Sequence, residues 1–136
     1  LVSSTSFLMI SGPPANFDNP MFAGDRTIRI AFIESELRPI TTVSKILGGK
    51  FGTDQHTDAY LRSQGEDAKA ISSCLLSRDF SVCRYDVIIV RAYIVDRPFD
   101  CLGLFRLDYD PRDMLEQSGY IPVFVSSSTV AYVVGK

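Results

Sequence analysis

Tryptophan is absent from this chain, histidine occurs once, and the three cysteines include no CxxC pair. With His56 as the lone imidazole, any Ser/His or Cys/His mechanism would have to pass through that one residue. Without a CxxC half-site no single turn offers two thiolates, so one His and three Cys lack the spacing of a structural zinc site. No apolar run approaches the roughly 20 residues needed to cross a bilayer. Fourteen basic side chains stand against sixteen acidic ones, scattered from Arg26 to Lys136. No dedicated nucleic-acid surface is expected, because such affinity comes from clustered cations, although a folded face could collect Arg84, Arg91 and Arg106. Signatures such as GxSxG and GxxxxGK[ST] are missing too. "LGGKFGTD" has the glycines, lysine and threonine of a phosphate cradle, but it follows a helical pattern instead of opening one, and reads as a loop.

What is there suffices for one domain, since 46% hydrophobic and 22% charged residues in 136 positions give ordinary material for one core. "LVSSTSFLMISG" has no basic n-region and too short an apolar run for a signal peptide, and a start without Met reads as a trimmed or processed chain. An odd cysteine count in so small a domain points to free thiols in the cytoplasm or another reducing compartment, with one bridge plus a free thiol as the alternative.

Turn formers and prolines in "SGPPANFDNP" make residues 1–25 an irregular arm or linker, with "TSFLMI" a short strand or docking segment, and leave 26–136 as the domain. "RTIRIAFI" alternates like a half-buried strand that Pro39 stops, and Glu34 and Glu36 form a solvated rim at its end. "TTVSKILGG" is a short helix opened by Thr41 or Thr42 and ended by Gly48. Ser63 and Glu66 offer a capping box that opens a helix over 64–77. "VCRYDVIIVRAYIV" is the strongest strand, apolar on both faces from Val87 to Val90, and "CLGLFRL" is its next antiparallel partner. "DPRDMLEQSG" is a helix capped by Asp110, with Pro111 at its first position and Gly119 as terminator. "YIPVFV" and "TVAYVV" form a hairpin, with Pro122 placing the first strand at a sheet edge or at its own start. The expectation is an α+β fold: three helices on a mixed or mainly antiparallel sheet of about five to six strands, because consecutive strands have connections too short for parallel crossovers.

Two enzymatic readings follow from the residues. His56, flanked by Asp54 and Asp58, could activate Cys74, Cys83, Cys101 or a serine. Asp108 and Asp110, with Asp113 nearby, could hold magnesium or manganese through oxygen ligands, although Asp110 is already needed as a helix cap. Neither reading has a second converging motif, so no cofactor is expected and the enzyme stands as the alternative.

The arm has more support. Phe17 and Phe22 flank an Asp18-Asn19-Pro20 turn with no periodicity to bury them. "FDNPMF" resembles the FxNPxY/F peptides that phosphotyrosine-binding-type adaptors recognise. In the simpler reading Phe17, Pro20, Met21 and Phe22 pin the arm to its own domain or to an apolar groove of a neighbour. Phe7 to Ile10 before the linker, and Tyr120, Phe124, Tyr132 and Val134 in terminal strands, add apolar surface suited to lateral assembly. The chain therefore reads as a non-enzymatic structural protein that binds itself or another protein.

The order of elements, namely "RTIRIAFIESELRP" with its Arg38-Pro39 step, "TTVSKILGG", "DAKAISSCLL", central strands, and "DMLEQSGYIPVFVSSSTVAYVV", resembles the matrix proteins of rhabdoviruses and their relatives over roughly residues 26–134. There is no lysine-rich N-terminal arm, and "PPAN" lacks the Tyr of a PPxY motif. The resemblance implies a viral matrix protein of the virion: a non-enzymatic subunit whose N-terminal arm binds its neighbour, associated peripherally with a membrane and assembled around a nucleocapsid.

Overall fold

Val87 to Val90 need cover on both faces. The structure, a computed structural model that describes residues 32–100 and 104–135, places them in β3 (Val87–Arg91), at the centre of a five-stranded mixed sheet. On one side β3 pairs in parallel with β1 (Phe51–Thr53), and β2 (Ala68–Ala70) continues in parallel beyond it. On the other side it pairs antiparallel with β7 (Thr129–Val134), whose hairpin partner β6 (Tyr120–Val125) is the far edge. The fold is thus α+β with a mixed sheet, as the sequence leads one to expect.

Alternation along β3 divides the core. Val87 and Ile89 join Phe51, Leu61, Ala131, Ile40 and Val43 in one buried cluster, beneath α1 (Glu34–Ile46) and α2 (Gln55–Ser63). Ile88 and Val90 join Leu75, Ile94, Leu115, Val130 and Tyr132 in the other, beneath α3 (Ser72–Ser77), α4 (Ala92–Asp96) and α5 (Pro111–Gln117). Two short strands, β4 (Phe99–Asp100) and β5 (Leu104–Phe105), pair as a separate ribbon.

Several local expectations are corrected. The connections are long enough for parallel strands, because α2 carries the chain from β1 to β2 and α3 lies between β2 and β3. Of the 26–33 strand, only Phe32 and Ile33 lie within the described residues, and the chain after them is helical, with Glu34 and Glu36 in its first turn and Pro39 in its interior. Pro39 has no N–H to offer the carbonyl of Ser35, four residues earlier. That carbonyl instead accepts a hydrogen bond from the Ser128 hydroxyl, at the tip of the β6–β7 hairpin. The helix survives its proline because a residue 93 positions away supplies the missing donor.

"SQGE" ends a helix instead of starting one. Ser63 is the last residue of α2, Gly65 takes a φ of 88°, and the Glu66 amide donates back to the Leu61 carbonyl at 3.0 Å, the six-to-one bond of a Schellman stop. The expected 64–77 helix is therefore β2 followed by α3. β3 also ends sooner than "VCRYDVIIVRAYIV" implies, since Ala92 onward turns into α4. Residues 104 and 105 of "CLGLFRL" pair with β4 and not with β3. Gly49, and not Gly48, is the glycine the loop after α1 requires, with φ 115° and no room for a Cβ beside Asp86. The α5 helix and the terminal hairpin lie where expected: Asp110 caps α5, Gly119 has φ 86°, and Pro122 is on the edge strand.

Two substitutions test these supports. Ser128→Ala leaves the Ser35 carbonyl without its donor and should lower stability by about 1 kcal/mol, read as a lower urea midpoint with an unchanged slope. Gly52→Ala puts a Cβ 2.7 Å from both Ile71 and the Tyr85 ring and should cost about 1–3 kcal/mol in the same assay.

Candidate functional site

Strand alternation carries the side chain at position 91 onto the same face as Val87 and Ile89, so the last residue of β3 delivers an arginine beneath α1. Arg91 is only 1% exposed. Its Nε donates to Asp54 Oδ2 at 2.9 Å and its Nη2 to Asp54 Oδ1 at 2.7 Å, a bidentate pair. Asp54 lies just past the end of β1, the parallel neighbour, and it also caps α2 by accepting from the Thr57 amide and hydroxyl. Glu36, in the first turn of α1, brings Oε2 within 3.7 Å of Arg91 Nη1 while accepting from the Ile33 amide. The Phe32 and Tyr93 rings lie 4.9 and 5.3 Å from the guanidinium carbon. Glu36 is therefore a buried partner of Arg91 and not a solvated rim, and Arg91 belongs to no surface face with Arg84 and Arg106, which are exposed.

Burial alone would raise the Asp54 carboxyl, but the charge and hydrogen bonds of Arg91 overcome it and hold the group below its ordinary range. Burial likewise works against the Arg91 cation, and Asp54 first, then Glu36, reverses this and raises its pKa. The cluster ties β1, β3, α1 and α2 together at the same end of the sheet. Arg91 is held by Asp54 through two hydrogen bonds and opposed by Glu36, so the cluster acts as a clamp between these elements.

The sequence-derived catalytic candidates are not brought together. His56 lies in the first turn of α2, and its Nε2 is buried without a hydrogen-bond partner among the described residues. Neither neighbouring carboxylate orients it, because Asp54 is held by Arg91 and Asp58 by Arg62 at 2.8 Å. Cys74 and Cys83 are joined in a disulfide with Cα atoms 6.4 Å apart, which corrects the expectation of free thiols and removes both as nucleophiles in this state. Cys101 lies outside the described residues. Asp108 is paired with Arg78. Asp110 caps α5 and is gripped by Arg112, whose hydrogen bonds hold its carboxyl below the usual range. Among the described residues no three His, Cys, Asp or Glu side chains gather to hold a metal ion, and no helix is long and apolar enough to cross a membrane.

Phe17, Pro20, Met21 and Phe22 lie outside the described residues, so the surface that could receive them is the observable half of that reading. Tyr120 and Tyr132, expected on an edge, are core residues, and Phe124 is half-buried. Val134, expected with them, is 53% exposed, and other exposed apolar side chains lie nearby. Ile46, at the last turn of α1, is 72% exposed, while Ile121 and Val123 of β6 are 52% and 48% exposed. An irregularity between Pro122 and Phe124 interrupts the β6–β7 register at Val123. Val43, Ile46, Leu47, Val123 and Phe124 line one cleft of 120 Å³. An apolar ledge therefore runs from the end of α1 to the sheet edge. Compared with known protein families, characterised proteins and solved structures, the chain matches none.

The clamp has an acid signature. Asp54 has its ordinary value near 3.8 when unfolded and a lower one when folded, so its contribution to stability is complete above the unfolded value and is lost as pH falls through the folded one. Urea midpoints should therefore be flat in this term above about pH 5 and fall below about pH 4. Asp54→Asn should be less stable at pH 7 by about 3 kcal/mol and show a shallower acid decline.

Proposed function

We propose that this protein is a non-enzymatic, self-associating structural protein whose N-terminal arm docks on the apolar ledge of a neighbouring copy. The observation that carries the proposal is the ledge itself: Ile46 and Val123 exposed around one cleft, with Ile121 exposed on the same edge strand. Contiguous exposed apolar surface of this kind is the usual mark of a docking site.

The occupant follows from the chain that precedes the described domain. Thirty-one residues come before Phe32, and they carry Phe17, Met21 and Phe22. Phe32 is at the N-terminal end of α1 and the cleft at its C-terminal end, about 20 Å away for a helix of this length. To fill its own cleft the arm would run back along a helix flank lined by Glu34, Leu37, Arg38, Thr41, Thr42 and Lys45. A second copy delivers the arm without that path. Side-chain docking is favoured over edge-to-edge strand addition because Pro122 lacks an amide and blunts the β6 edge.

Burying a Phe side chain is worth about 1.5–3 kcal/mol. Phe17→Ala/Phe22→Ala should therefore weaken self-association at least about tenfold without unfolding the domain, and Val123→Asp on the receiving side should do the same. Sedimentation velocity over a hundredfold concentration range reads both. A strict monomer at every concentration would contradict self-association. An arm variant that assembles like the parent but melts earlier would return Phe17 and Phe22 to the chain's own core.

A further inference from the structure

Between Cys74 and Cys83 the chain finishes α3, where Leu75 is buried, and then makes a loop over residues 78–82 whose one buried side chain is Phe80. Phe80 is 1% exposed and the cysteines are 5% and 4% exposed, whereas Asp79, Ser81 and Val82 face solvent. Arg78 enters the loop with φ 58°, a left-handed conformation that a side-chain-bearing residue adopts at a cost. Each flank is held independently of the disulfide. The Tyr109 hydroxyl donates to the Leu75 carbonyl before the loop, and the Tyr120 hydroxyl donates to the Cys83 carbonyl after it at 2.6 Å. Phe80, Cys83, Tyr85 and Tyr120 also line an open cleft of 330 Å³, so the loop forms one wall of a cavity at the molecular surface.

We propose that the Cys74–Cys83 disulfide is a redox latch on residues 78–82. Oxidised, it closes a ten-residue ring that keeps Phe80 in the core. Reduction by a dithiol proceeds by exchange: one reductant thiolate attacks a protein sulfur, the S–S bond breaks, and the displaced cysteine takes up a proton. The second reductant thiol then resolves the mixed disulfide, leaving two protein thiols and an oxidised reductant. The loop then opens, Phe80 leaves the core and the cleft widens, while the two tyrosine hydrogen bonds retain the flanks. The sulfurs are buried, so the exchange passes through a transient local opening of the same loop.

Thiol titration and hydrogen exchange on the intact chain test this. Of three cysteines, one should react in denatured, unreduced protein and three after dithiothreitol. The amides of Ser81, Cys83 and Tyr85 are hydrogen-bonded. They should exchange roughly a hundredfold faster on reduction, the closure entropy of a ten-residue ring, while β3 and β7 change little. Cys74→Ser/Cys83→Ser should reproduce the reduced pattern without reductant. Three reactive thiols before reduction, unchanged exchange after it, or acceleration spread evenly through the sheet would each overturn the latch.

Discussion

Arg91 takes a full positive charge into the interior at the point where the parallel half of the sheet meets its covering helices. A buried guanidinium is costly unless its hydrogen bonds are met and its charge is opposed, and here Asp54 answers two of its donors while Glu36 stands on the other side. Asp54 is fixed in turn as the cap of α2, and Glu36 as the first-turn residue of α1. One side chain thereby sets the positions of two helices against two adjacent strands. Apolar packing alone would hold α1 less specifically, because Ile40 and Val43 are its only fully buried apolar side chains.

The surface that receives the arm in our reading depends on that placement. α1 is anchored by Glu36 at its start, by the Ser128 hydroxyl on its Ser35 carbonyl, and by the hydrogen-bonded pair of Thr41 and Tyr60 along its length. With its N-terminal half fixed, its last turn is carried to the open edge, where Leu47 and Ile46 meet Val123 and Phe124. The clamp and the ledge lie at opposite ends of one helix.

What could be read from the residues was whatever depends on near neighbours. Asp110-Pro111 and Gly119 bound α5 by local backbone chemistry, the three serines join a real hairpin, and the apolar centre of β3 declares a strand covered on both faces. The misreadings have distant causes. Pro39 reads as a stop because its compensating donor is Ser128, and Glu36 reads as a rim because its partner is Arg91. Ser63 to Glu66 reads as a helix start because serine, glycine and glutamate serve both ends of helices, and the left-handed Gly65 decides for the stop. β1 and β2 are three residues each, too short to show a period, so the parallel half of the sheet left no pattern. Of the candidate site, the edge position of β6 was legible. Ile46 and Val123 were not, because only the fold puts them in one cleft.

The most direct test of the clamp is a double-mutant cycle on Asp54 and Arg91 by urea unfolding at pH 7, using Asp54→Asn, Arg91→Met and the pair together. If Arg91 and Asp54 organise this end of the molecule, the double variant should cost hardly more than either single one, leaving a coupling of about 2–3 kcal/mol. Losses that add to within about 0.5 kcal/mol would show that the two residues act independently, and the account of how α1 and α2 are held would fail.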